Sequence, residues 1–115
     1  LGLLEDPIRM TFEAGRLTDL TGGAAARRLQ AILDAADDQA LNLGELGLGT
    51  NPAARDIGHV ENKFRRDTAH IALGDNHLIG WRGADIYGGT IVSNRHIDLV
   101  ANGITIHIDG TAWQF

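Results

Sequence analysis

The sequence predicts an α+β domain: a mostly antiparallel sheet of short strands with one main helix at about residues 24–36. Two observations support this class. Short apolar runs alternate with polar residues at the period of a strand, and only one segment repeats its apolar residues at the period of a helix. Fifteen glycines in 115 residues divide the chain into short elements. This length suits one domain, so residues 1–115 are expected to form a single domain.

The first predicted element is a hairpin over residues 8–20. Ile8, Met10 and Phe12 alternate with polar residues, which is typical of a half-buried strand. Ala14-Gly15 supplies a two-residue turn, and the chain then returns to Leu20.

A helix is predicted next, with Thr21 placed to cap its start. Asp37 and Asp38 oppose the negative end of the helix dipole, which favours an end just before them. The apolar stripe of this helix consists of Ala25, Leu29, Ile32, Leu33 and Ala36.

The second half of the chain predicts short strands separated by Gly, Asn and Asp. Asn102-Gly103 favours a two-residue hairpin between two of them, and Asp109-Gly110 favours another turn. The predicted strands are 41–48, 68–73, 96–100, 104–108 and a final one at 111–115.

Composition excludes several classes of function. Fifteen acidic residues against ten basic ones give a net charge of −5, so a nucleic-acid partner is not expected. No segment approaches the roughly 20 apolar residues that span a bilayer, so no membrane partner is expected. Cysteine is absent, which excludes disulfides and thiolate zinc sites and is compatible with the predicted cytoplasmic location.

Four residues have the chemistry of metal ligands. His96 and Asp98 lie two apart on a predicted strand, so their side chains share a face and can share a divalent metal. His70 and Glu45 stand among apolar or small residues, where an unpaired polar group is costly. A metal would satisfy all four, whereas the structural alternative makes His70 a hydrogen-bonded core residue and Glu45 a surface acid.

Other charged residues receive weaker interpretations. His107 and Asp109 repeat the spacing of the first His–Asp pair, but they run into a turn and are interpreted as structural. Lys63, Arg65 and Arg66 form a basic cluster that is interpreted as a solvated surface. Glu61 precedes this cluster and is either a general base or an ordinary surface acid.

Three motifs in order carry a family resemblance. The segments LGELGLGTNPAAR, HIALGDN and HIDLV, the last followed by ITIHIDG, resemble the C-terminal catalytic portion of the aminopeptidase T family of metallopeptidases. The resemblance covers roughly residues 3–110. It implies a metal-dependent aminopeptidase that removes N-terminal residues from a peptide substrate, with zinc, cobalt or manganese in a two-metal site.

The resemblance also assigns roles to individual residues. Glu61 becomes a candidate general base, and His77 stands seven residues after His70, where the family tends to place a tyrosine. A further glutamate ligand would lie upstream of this chain, which is therefore expected to be part of a longer enzyme. A homodimer is also implied. The implied metal ligands are Glu45, His70, His96 and Asp98.

Two alternatives to the peptidase stay open. Ring-cleaving dioxygenases that act on dihydroxypyridines look similar to this peptidase family but hold one iron. A set of His70, His96 and Asp98 would suit a mononuclear Fe(II) site with open positions for oxygen. The second alternative is a non-catalytic module that serves structure or dimerisation.

Overall fold

The computed structural model describes residues 2–78, 85–86 and 88–113. The predicted α+β class is confirmed, with mostly antiparallel sheets and one main helix. The strands are β1 (Ile8–Glu13), β2 (Arg16–Gly22), β3 (Leu43–Leu48), β4 (Thr68–Gly74), β5 (His96–Asn102), β6 (Ile106–Ile108) and β7 (Thr111–Trp113). The helices are α1 (Ala24–Asp34), a 3-10 helix (Asp38–Leu41) and α2 (His59–Asn62).

The predicted first hairpin is confirmed. Strands β1 and β2 pair antiparallel, with Glu13 opposite Arg16, and a register shift between Thr11 and Phe12 interrupts the ladder. Ala14 and Gly15 both adopt positive φ, 49° and 79°. Positive φ at both turn positions is the geometry that matches the twist of the flanking strands.

Helix α1 follows the hairpin but differs from the prediction at both ends. Thr21 belongs to β2, and the N-cap is Gly23, which provides no side-chain cap, so the predicted Thr21 cap is wrong. The helix ends at Asp34, two residues before the predicted end at Ala36. It contacts β1 and β2. Its buried residues are Ala25, Ala26, Leu29 and Leu33, and they form the aliphatic core together with Leu17.

Asp37 connects two segments that are distant in sequence. Its carboxylate accepts hydrogen bonds from the backbone N–H of Asn94, the hydroxyl of Ser93 and the backbone N–H of Gln39. These bonds stabilise the ionised form, and the N–H of Asn94 contributes most to lowering the pKa of Asp37. The Asp37 side chain also caps the 3-10 helix, so β3 begins at Leu43 rather than at Leu41.

Strands β3, β4 and β5 form a three-stranded sheet in that order. The two pairs in this sheet are β3 with β4 and β4 with β5. In each pair, hydrogen bonds connect the start of one strand to the end of the other, so both pairs are antiparallel. The donor and acceptor residues at these ends are Gly49 to Thr68, Gly74 to Asn42, Asp75 to Arg95 and Gly103 to Asp67.

The predicted hairpin at Asn102-Gly103 is wrong. Strand β5 pairs with β4, and β6 pairs with β7 instead of turning back onto β5. Gly103 does adopt a positive φ of 61°, but its N–H donates to Asp67. The predicted turn at Asp109-Gly110 is confirmed and joins β6 to β7. Positions 114–115 of the predicted last strand lie outside the described residues.

The contacts of the chain divide it into two compact units. The first comprises residues 1–44 and 73–97, and the second comprises residues 45–72 and 98–115. The expectation of a single domain stays a prediction. Among the described helices, none combines the length and apolar character needed to cross a membrane.

Candidate metal centre

Three side chains of the second unit converge in one cluster. Glu45 lies on β3, His70 on β4 and Asp98 on β5. Each offers one ligand atom, and these atoms all lie within 4.8 Å of one another. We call these three residues the acid–histidine cluster. It contains three of the four predicted metal ligands.

His70 is held from two sides. Its Nε2 lies 3.0 Å from Oε1 of Glu45, and the residue is only 7% exposed. Gly47 faces the imidazole, and a Cβ at Gly47 would overlap the ring atoms. Glycine at this position therefore provides the space in which the ring lies. The other ring nitrogen, Nδ1, is buried without a hydrogen-bond partner in the described part of the chain.

Lys63 brings a positive charge to the cluster. Its Nζ lies 2.6 Å from Oδ1 of Asp98, and the two side chains are 16% and 14% exposed. The interpretation of Lys63 as part of a solvated surface is therefore wrong. No short-range signal could have revealed the contact, because the two residues are far apart in sequence and meet only through the fold.

The other members of the basic cluster differ from Lys63. Arg65 pairs with Asp56 at 3.1 Å, and the Asp56 side chain is 67% exposed. Arg66 is exposed, as predicted. Among these three basic residues, Lys63 is thus the one that pairs with a member of the acid–histidine cluster.

The cluster has the charge and donor set of a cation site. Two largely buried carboxylates repel each other unless a positive charge lies between or beside them. In this structure the ammonium group of Lys63 occupies that role at Asp98. An imidazole nitrogen and carboxylate oxygens are also donors that bind iron and other divalent metals. A metal ion therefore fits the residues that are present.

His96 lies outside the acid–histidine cluster. It begins β5, its side chain is exposed, and its Nδ1 lies 2.6 Å from the backbone carbonyl oxygen of Asp75. Its role as a ligand stays a prediction. His107 is exposed on β6, and its structural interpretation stays a prediction.

The two predicted catalytic residues, Glu61 and His77, make other contacts. Glu61 lies in α2 and accepts a hydrogen bond from the backbone N–H of Arg55 at 3.2 Å. His77 is exposed, and its backbone N–H donates to the carbonyl oxygen of Ile91. The structure gives neither side chain a contact with a ligand of the cluster among its described hydrogen bonds.

Comparison with known proteins identifies the family. Searches of curated proteins and of solved structures gave no match. The family model of NicX, 2,5-dihydroxypyridine 5,6-dioxygenase, matches residues 2–113, which is nearly the whole chain.

This match corrects the predicted identity and activity. The assignment to the aminopeptidase T family is wrong, and so are the predicted metalloaminopeptidase activity and the hydrolase class. The general-base role of Glu61 and the intermediate-binding role of His77 depended on peptide hydrolysis and lose that basis. A dioxygenase family implies a metal, which agrees with the prediction of a divalent metal site. The family gives no support to the predicted zinc, cobalt or manganese. The chain belongs to the 2,5-dihydroxypyridine 5,6-dioxygenase family.

Proposed function

We propose that this chain carries the metal site of a ring-cleaving dioxygenase that acts on 2,5-dihydroxypyridine. The observation that supports the proposal most is the acid–histidine cluster inside the segment matched by the family. A 5,6-dioxygenase adds both atoms of dioxygen to its substrate as the ring opens between carbons 5 and 6. The alternative of a mononuclear iron dioxygenase, which the sequence left open, becomes the leading function.

Iron(II) is the metal that this proposal requires. Glu45, His70 and Asp98 would hold it through carboxylate oxygens and an imidazole nitrogen. Bound there, iron(II) would supply the reactivity toward dioxygen that amino-acid side chains lack. Iron(II) accepts up to six ligands, so these three residues, or four with His96, would leave coordination positions for the reactants.

The contacts of His70 with Glu45 and Gly47 favour the binding of a cation at this site. The bond between His70 and Glu45 needs a proton on one of the two facing atoms, and a metal would take the place of that proton. The backbones of Glu45 and His70 belong to β3 and β4, and their side chains already contact each other. Little side-chain freedom would therefore be lost when a metal binds. The absence of a side chain at Gly47 keeps the imidazole in this position.

His96 is proposed as a further ligand because it lies two residues before Asp98 on β5. Alternation along a strand directs side chains at this spacing to the same face. His96→Ala is therefore expected to lose bound iron, measured by elemental analysis after anaerobic loading. Retention of full iron would restrict the ligands to the acid–histidine cluster.

The activity test uses the chain loaded anaerobically with iron(II). Addition of 2,5-dihydroxypyridine and dioxygen should consume one dioxygen per substrate, measured with an oxygen electrode, while the ring absorbance disappears. Labelled dioxygen should place both oxygen atoms in the product. His70→Ala should abolish the consumption, whereas His107→Ala, an exposed histidine on β6, should leave it unchanged. Absence of substrate-dependent oxygen consumption by the iron-loaded chain would contradict the proposal.

The homodimer and the cytoplasmic location stay proposals as well. Both can be checked without the metal, by sedimentation of the purified chain and by cell fractionation.

A further inference from the structure

We propose that Lys63 sets the metal affinity of the acid–histidine cluster by occupying the place of the cation at Asp98 when no metal is bound. This inference rests on the proposed metal centre, because it concerns the same carboxylate. Binding of a metal then requires the ammonium group of Lys63 to withdraw from Asp98.

The contact itself supports competition. Nζ of Lys63 lies 2.6 Å from Oδ1 of Asp98, and both side chains are largely buried. Charges at such a separation interact strongly where water is scarce, because screening is weak. A divalent ion bound among ligand atoms that lie within 4.8 Å of one another would stand close to that ammonium group. The two cations would repel each other, so the presence of the ammonium group at Asp98 weakens the binding of a metal ion.

The backbone that carries Lys63 is fixed, which leaves the side chain as the moving part. Lys63 directly follows α2. The hydroxyl oxygen of the buried Thr68 lies 2.9 and 2.7 Å from the carbonyl oxygens of Asn62 and Arg65, and its one proton is shared between them. These bonds tie the segment to the start of β4. A lysine side chain is long and flexible, so its ammonium group can leave Asp98 by rotation of the side chain alone.

The pairing also explains how the metal-free chain tolerates its acids. Glu45 and Asp98 are both carboxyl side chains, and they are only 23% and 14% exposed. The positive charge of Lys63 offsets their repulsion before the metal arrives. Removal of this charge should therefore weaken the metal-free fold and strengthen the binding of a metal.

The test is a calorimetric titration of the metal-free chain with Mn(II), a divalent probe that is stable in air. Lys63→Met should bind Mn(II) about tenfold more tightly than the unmodified chain, because one unit of nearby repulsion is lost. Lys63→Arg keeps the charge and should stay close to the unmodified chain. Arg66→Met is the matched control, because it removes one positive charge from an exposed position nearby.

Thermal unfolding provides the second readout. Without metal, Lys63→Met should unfold at a lower temperature than Arg66→Met, and Mn(II) should raise its unfolding temperature by more. The inference is overturned if Lys63→Met binds Mn(II) no more tightly than Arg66→Met, or if no variant binds Mn(II) at all. The measurement uses neither substrate nor dioxygen, so tight binding by Lys63→Met without dioxygenase activity would contradict the proposed function alone.

Discussion

Two regions of the chain bury opposite kinds of side chain. In the hairpin and helix of residues 8–34, aliphatic residues such as Leu29 are buried, at 0% exposure, and the arginines of the helix face outward. In the second region, residues 45–72 together with Asp98, the pattern is reversed around the acid–histidine cluster. His70 and Lys63 are buried or nearly so, whereas Leu46 and Phe64 are 66% and 56% exposed.

The difference separates residues that stabilise the fold from residues that serve the proposed chemistry. Burial of apolar side chains stabilises a fold directly. Burial of charged side chains is costly and at best breaks even, so stability alone does not account for it. A group of buried charges that converges on one point is typical of a functional site. The first region thus supports the fold, and the second carries the proposed function.

The largest expected effect on stability lies in the first region. Leu29→Ala removes a fully buried side chain and should lower the free energy of unfolding by about 3 kcal/mol. Denaturant titration checks this value. The amount of iron bound per folded chain should not change. A loss of iron as complete as in His70→Ala would contradict the claim that the first region serves stability and the second serves metal binding.

The second expected effect compares two ion pairs of the second region. Asp98→Ala leaves the nearly buried ammonium group of Lys63 without this partner and should destabilise the metal-free chain by about 2 kcal/mol. Asp56→Ala breaks the more exposed pair with Arg65 and should cost less than about 1 kcal/mol. Urea unfolding of both variants side by side tests the ranking, and equal losses would contradict it.

The third expected effect concerns the space occupied by the imidazole. Gly47→Ala places a methyl group against the ring of His70 and should cost about 2 kcal/mol. The double variant Gly47→Ala/His70→Ala should recover part of this loss, because the ring that collides has been removed. A purely additive double variant, measured by denaturant unfolding, would show that the ring is not the cause.

The smallest expected effect is a pH dependence at Asp37, which follows the first region. The folded chain holds the pKa of Asp37 below its ordinary value, chiefly through the N–H of Asn94. The resulting stabilisation is present above that ordinary value, 3.8, and is lost as the pH falls through the folded-state pKa. Asp37→Asn should therefore flatten the acid limb of a plot of unfolding temperature against pH. Asp19→Asn, an exposed change in β2, is the control, and an equal flattening there would contradict the assignment.

Local patterns predicted the first region well because its contacts are local. Strands β1 and β2 are joined by a two-residue turn, and α1 follows directly and packs on them. Asn102-Gly103 shows where such patterns fail. Gly103 has the positive φ that such a turn needs, but Asn102 is the last residue of β5, and the partner of this strand is the distant β4.

The sequence predicted three residues that the structure brings together, but it predicted neither the contact of Lys63 with them nor the reaction. Glu45 and His70 were identified because polar residues among apolar or small neighbours need partners, and Asp98 because it lies two residues after His96 on a predicted strand. Lys63 was missed because its partner lies 35 positions further along the chain. The reaction was misassigned because histidine and carboxylate donors serve metal-dependent hydrolases and iron dioxygenases alike.

Iron content tests the central claim most directly. The unmodified chain, His70→Ala and His107→Ala would be loaded anaerobically with iron(II), freed of unbound metal and analysed for iron per chain. We predict one iron in the unmodified chain and in His107→Ala, and a loss of nearly all iron in His70→Ala. Equal iron in all three proteins would show that the acid–histidine cluster is not the metal centre.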